Sequence, residues 1–173
     1  MSAETRITTL DGGLRVITEP LANVQTASVG VWVDVGARYE DASISGVAHM
    51  LEHMAFKGTA TRSARAIAEE IESVGGRPNA YTSSEHTAYY VRVLAEDVPL
   101  GVEILADILQ HSTFDEEELS RERGVVLQEI GQMQDTPDDL VFELFQETAF
   151  PDQPLGRSIL GPAEIIAGLP RRA

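Results

Sequence analysis

The order of hydrophobic periods along this chain predicts an α+β fold, a largely antiparallel sheet with helices packed on it. Three observations predict it. Two strand-like runs flank Asp11-Gly12-Gly13, a second strand pair reads through residues 77–95, and helical periodicity fills most of what lies between and after. At 173 residues the chain is long enough for one domain with its own apolar core.

The elements follow in order. "TRITTL" and "LRVIT" surround the Asp-Gly-Gly turn, the signature of a hairpin. "TASVGVWVDVGARYE" is Val-rich with partial alternation, as expected of a strand buried on at least one face. The period then lengthens. "ISGVAHMLEHMAF" sets Val47, Leu51 and Met54 at helical spacing, with Gly58 beyond the end. "SARAIAEEIESVGG" places Ala64, Ile67, Ala68, Ile71 and Val74 on one helical face, and Gly75-Gly76 stops the helix. "RPNAYTSSEHTAYYVRVLA" is rich in Tyr, Thr and Val and reads as two strands around "TSSE". Pro99 suits the first turn of a helix through "LGVEILADILQH". Asp115 followed by Glu118 resembles a capping box for a helix running to about Met133. Another helix starts at Pro137 or Asp138, and "DQPLGRSILG" is a loop.

Composition narrows the function. Thirteen basic against 28 acidic residues give a net charge of −15, which disfavours nucleic acid and anionic membrane as partners and would attract a cationic peptide. No cysteine is present, so disulfides and thiolate metal sites are excluded. The start "MSAETRITTLDGG" shows neither a secretory signal nor a transit peptide, and "ASVGVWVDVG" is too short to span a bilayer. A soluble, cytoplasmic protein is expected.

Chemistry enters at "HMLEH", residues 49–53. On a helix turning about 100° per residue, Glu52 lies about 60° to one side of His49 and His53 about 40° to the other. All three share a face, and imidazoles at i and i+4 can reach one metal ion. Chance placement gives about 0.01 such H-x-x-E-H patterns in a chain of this composition. The plain alternative is a polar stripe whose histidines only hydrogen-bond. A catalytic zinc needs a third protein ligand, with the fourth position left open. His86 and His111 are candidates, although His111 reads better as a helix C-terminal cap. Glu122 and Glu129 are seven apart and share a helix face near Val125 and Val126, which suggests that the face turns inward. Read locally, however, that face is better explained as solvated, its acids pairing with Arg121 and Arg123.

Over longer stretches the chain resembles a known family. "VDVGARYEDASISGVAHMLEHMAFKGTATRSA" is similar to the signature of the pitrilysin-type zinc metallopeptidases, the H-x-x-E-H inverzincins. It looks most like their processing-peptidase branch, that of the mitochondrial processing peptidase β subunit and its bacterial relatives. "GGRPNAYTSSEHTAYY", "RERGVVLQEI" and "PLGRSILGPAEII" match further family segments in order, so the resemblance covers essentially the whole chain. It implies zinc held by His49, His53 and Glu129, with Glu52 as general base on zinc-bound water. Glu129 follows His53 by 129 − 53 = 76 residues, the family's separation. Glu122 then falls on a second acid near the metal, and Asn79, Ala80, Tyr81 and Thr82 fall on the strand that pairs with an extended substrate.

The resemblance also implies a domain organisation. Family members carry two homologous halves that close around the substrate, and residues 1–173 correspond to an N-terminal half lacking its last strands. The chain is expected to stop at "AGLPRRA" inside a helix, with the C-terminal half absent and apolar surface left bare. The implied function is a zinc endopeptidase acting on presequence-like or general extended peptides, of reduced activity alone. A homodimer or a separate chain would supply the missing half. The alternatives are a non-catalytic subunit of a processing-peptidase-like assembly, or a zinc-binding remnant.

Overall fold

The computed structural model describes residues 4–172. Residues 1–3 lie outside that range, as does residue 173 of the "AGLPRRA" tail, so the expectation about a leader segment falls partly beyond it.

Strands β1 (Arg6–Thr9) and β2 (Arg15–Thr18) form the expected hairpin, in antiparallel register Ile7 to Ile17. They make a two-stranded sheet of their own. The main sheet has the order β3-β5-β4, all antiparallel, from β3 (Thr26–Val33), β4 (Arg77–Thr82) and β5 (Thr87–Leu94). The expected antiparallel sheet is therefore present as two sheets. Among the described residues β4 pairs only with β5 and is an edge strand.

Helix α1 (Val47–Ala55) is followed by α2 (Ala64–Ser73), α3 (Val98–Gln110), α4 (Glu116–Asp135), α5 (Pro137–Ala149) and α6 (Ala163–Gly168). Ser63 caps α2, its hydroxyl accepting from the Ala66 N–H. Asp115 caps α4 by accepting from the N–H groups of Glu117 and Glu118. The capping box is only half made, because the Glu118 carboxylate turns outward to Arg121. The last helix takes in Ala167 and Gly168 of "AGLPRRA" and ends there. Pro170 follows, and a residue before proline is pushed out of helical geometry; Leu169 sits at φ −59°, ψ 116°.

Two apolar cores result. One joins Ile67 and Ile71 of α2 and Ile104, Leu105 and Ile108 of α3 to Tyr89, Val91 and Val93 of β5. The other gathers Met50 and Met54 of α1, Leu119, Val126 and Ile130 of α4, and Ile166 and Leu169 at the chain's end. Helix α1 serves both, with Ala55 in the first core and its two methionines in the second. The buried residues of α1 are thus Ala48, Met50, Met54 and Ala55. Leu51, expected inside, is exposed, because the sheet and α4 each take another face of this short helix. Apolar side chains are bare on the hairpin, Ile7 and Ile17 among them, and on α5, where Phe142 is 72% exposed. Among the described residues no helix is long and apolar enough to cross a membrane.

Candidate metal centre

Helix α1 is fixed at its start by two features. Gly46 precedes it in the left-handed region, φ 95°, where an added Cβ would come within 2.6 Å of both Ile166 Cδ1 and Leu160 O. The buried Glu40 carboxylate then accepts from the N–H groups of Gly46 and Ala48, each at 2.7 Å. A carboxylate at a helix N-terminus satisfies donors that have no intrahelical partner and complements the dipole. Residue 49 follows at once, so the first turn that Glu40 anchors is the one that aims His49. Nothing in the local sequence around Glu40 marked it for this role.

The helix packs against both α4 and β4, and the 49–53 face looks into the seam between them. His49 Nε2 and His53 Nε2 lie 3.2 Å apart, and Glu129 Oε2 of α4 lies 3.6 Å from each. These three groups form the metal-capable cluster found among the described residues. Four-coordinate zinc with bonds of about 2.0–2.1 Å spaces its ligands by roughly 3.3 Å, so two imidazoles and a carboxylate at these separations fit the ion.

Electrostatics favours the same reading. Burial, helped by the neighbouring His53, lowers His49 to about 4, which leaves its imidazole neutral with a lone pair to give. His53 Nδ1 lies 2.9 Å from Glu122 Oε2. Donation of Nδ1–H to that carboxylate leaves Nε2 bare, the tautomer a metal requires. Burial opposes the ionisation of Glu122, but its bonds to Lys57 and His53 outweigh it and hold the carboxyl below the usual range. His49 Nδ1 and Ser45 Oγ are buried without a hydrogen-bond partner among the described residues.

The solvated reading of the α4 acids fails for Glu122, whereas the Glu129 side chain stays 39% exposed. Glu122 is buried and meets His53 and Lys57, while Arg121 pairs with Glu117 and Glu118, and Arg123 with Glu116 and the Leu169 carbonyl. The inward turn of the face holds for Val126, fully buried, and not for Val125, which is 39% exposed. Neither remaining histidine joins the cluster. His86 bonds Tyr81 and Ser83, and His111 bonds Asp107 at the end of α3.

Glu52 accepts a 2.6 Å hydrogen bond from Thr82 Oγ1 at the end of β4. Its charge adds to burial in pushing the Tyr89 phenol up to about 12. Asn79 and Ala80 line a cavity of about 490 Å³ with Glu52, His53, Phe56 and Ile67. Tyr81 is not part of that lining; its hydroxyl meets His86. Sequence reasoning missed the contacts of Lys57 and Thr82. The only sequence signal for Lys57 was its place one turn after His53.

His49 and His53 of α1 and Glu129 of α4 thus form a candidate metal site where the two helices meet. The family profile described as Insulinase (Peptidase family M16) matches residues 15–163, and the chain belongs to that family. It is 50% identical over 168 residues to the probable mitochondrial-processing peptidase subunit beta of Arabidopsis thaliana, covering 97% of this chain and 32% of that protein. To an uncharacterized zinc protease of Rickettsia bellii it is 48% identical over 166 residues, covering 96% and 40%. A solved protease from Helicobacter pylori superposes with a TM-score of 0.92 at 29% identity, over 98% of this chain and 41% of that one. Pitrilysin superposes with a TM-score of 0.85 at 26% identity, over 98% and 19%. The chain thus spans about a third to two fifths of the length of the curated relatives it matches.

Proposed function

We propose that this chain carries the metal-binding and proton-transfer residues of a zinc endopeptidase that hydrolyses extended peptides, presequence-like or general. The observation that carries the proposal is the convergence of His49, His53 and Glu129 within 3.6 Å, with Glu52 on the same helical face.

His49, His53 and Glu129 would hold the ion, and zinc there supplies Lewis acidity, polarising a carbonyl and acidifying water. Glu52 takes the proton from the attacking water and passes it to the leaving amine. Thr82 holds one Glu52 oxygen and leaves the other free for that proton. Glu122 keeps the His53 ring turned with Nε2 inward. An extended peptide adding to the β4 edge would be positioned by main-chain hydrogen bonds beside the cavity, and the net charge of −15 would draw in cationic segments.

The human relative, 48% identical over 169 residues, is named as a subunit of mitochondrial-processing peptidase. That name supports a role for a second chain, or a second copy, in completing the site, and it keeps a non-catalytic role in such an assembly as the alternative. Zinc content and cleavage of a quenched peptide, with Glu52→Gln as control, separate the readings. About one zinc per chain with Glu52-dependent cleavage is the expected result. Absence of zinc binding would sink the proposal, and zinc without such cleavage would favour the non-catalytic role.

A further inference from the structure

We propose that Lys57 is a positioning residue of the metal centre, locking the Glu122 carboxylate so that its other oxygen can orient His53. The proposal rests on the zinc reading above.

The geometry is a relay of three side chains. Lys57 Nζ lies 2.7 Å from Glu122 Oε1, and Glu122 Oε2 lies 2.9 Å from His53 Nδ1. The Glu122 side chain is only 6% exposed, whereas that of Lys57 is 32% exposed. The stem of Lys57 therefore reaches in from the surface and brings its charge to a buried anion. Lys57 follows His53 by 57 − 53 = 4 residues, just past the end of α1, and its own N–H bonds Met54 O. The backbone that places His53 thus also places the group that holds the partner of His53.

A carboxylate with one bonded oxygen can swing about its terminal bond. One bonded at both oxygens cannot, and its second bond then acts as a fixed guide for the imidazole. Loss of Lys57 would leave Oε1 buried without its cation, so Glu122 would shift toward solvent or another donor. His53 would lose the constraint that keeps Nε2 aimed at Glu129 and His49. Groups behind a metal ligand commonly change metal affinity by about 10–100-fold when removed.

The sign of the effect separates positioning from simple electrostatics. A lysine that merely stood near the site would repel a dication, and its removal would tighten binding. A lysine that positions Glu122 predicts weaker binding on removal, despite the loss of a positive charge.

The experiment is a Zn2+ titration of the 173-residue chain against a chromophoric chelator, with apo-protein melting followed in parallel. Lys57→Met and Lys57→Gln should each weaken zinc binding about tenfold, and Lys57→Arg should restore most of it. In a Glu122→Gln background, Lys57→Met should add little, because the relay is already cut. Unchanged or tighter binding by Lys57→Met and Lys57→Gln would overturn the proposal. So would a loss of equal size in the Glu122→Gln background, or one that Arg does not restore. If the wild-type chain binds no zinc, the metal reading itself fails and this proposal falls with it. Wild-type binding with indifferent Lys57 variants removes the Lys57 role alone.

Discussion

Thr82 and Glu52 lie 30 residues apart, yet the Thr82 hydroxyl donates a 2.6 Å hydrogen bond to Glu52 Oε2. The alternation of β4 turns Thr82 toward α1, and α1 turns Glu52 toward the sheet edge. One carboxylate oxygen is committed to this bond, which tethers the Glu52 head beside the histidine pair.

Removing that bond tests its value for catalysis. In whichever form of the protein cleaves peptide, Thr82→Val should lower kcat roughly 10-fold or more with a smaller effect on KM, since hydrogen bonds to charged groups are worth about 1.5–3 kcal/mol. Thr82→Ser keeps the hydroxyl and should recover most of the rate. Equal kcat for the Val and Ser variants would show that the bond does not matter.

Zinc should stabilise the folded chain by mass action. At a free concentration of 100 times Kd the gain is about 2.7 kcal/mol, visible as a raised Tm in a thermal melt. Replacing His49 or Glu129 by Ala should abolish most of that rise while leaving the apo melt little changed, because each residue comes from an element that other contacts hold. A zinc-induced rise that survives both replacements would place the ion elsewhere.

Gly46→Ala probes the entry to the histidine helix. Any side chain at φ 95° is strained, and here it would also meet Ile166 and the Leu160 carbonyl. A loss of about 1–3 kcal/mol is expected in urea unfolding, accompanied by weaker zinc binding because the first turn of α1 shifts. A neutral result would mean that this turn relaxes freely.

Asp107 gives a pH signature away from the metal. Buried on α3, it accepts from Thr59 at 2.8 Å, Arg62 at 3.0 Å and Thr61 at 3.2 Å, and it bonds His111. Burial alone would raise its pKa, but these donors outweigh burial and hold it below the ordinary 3.8. Because the folded value is depressed, the unfolded chain binds the proton first as pH falls. The contribution of Asp107 is complete above about pH 5 and is lost progressively as pH falls through 3.8 and below. The stability gap between wild type and Asp107→Asn should therefore be constant from pH 7 to 5 and narrow toward pH 2. A gap independent of pH down to 2 would contradict the assignment.

Much of the fold was legible because it rests on short-range rules. The Asp11-Gly12-Gly13 turn, the cap at Asp115, the proline starts at Pro99 and Pro137 and the glycine stop after α2 each act within a few residues, and each stands where the pattern placed it. Leu51 shows the limit. Period alone put it in the core, but α1 carries a metal-facing stripe and packs on two sides, so a third side is left to solvent.

The site divides along the same line. Local sequence by itself determined that His49, Glu52 and His53 share one face of a helix, because 3.6 residues per turn leaves no other arrangement. Family resemblance singled out Glu129, which the local pattern could not choose over His86, His111 or any other acid. Only the tertiary structure decided that α4 turns Glu129 and Glu122 onto the histidines, that Lys57 closes on Glu122, that Thr82 holds Glu52 and that Glu40 anchors the start of α1. The physical reason is that backbone periodicity sets which side chains point together, while the packing of whole elements around two cores sets what they point at.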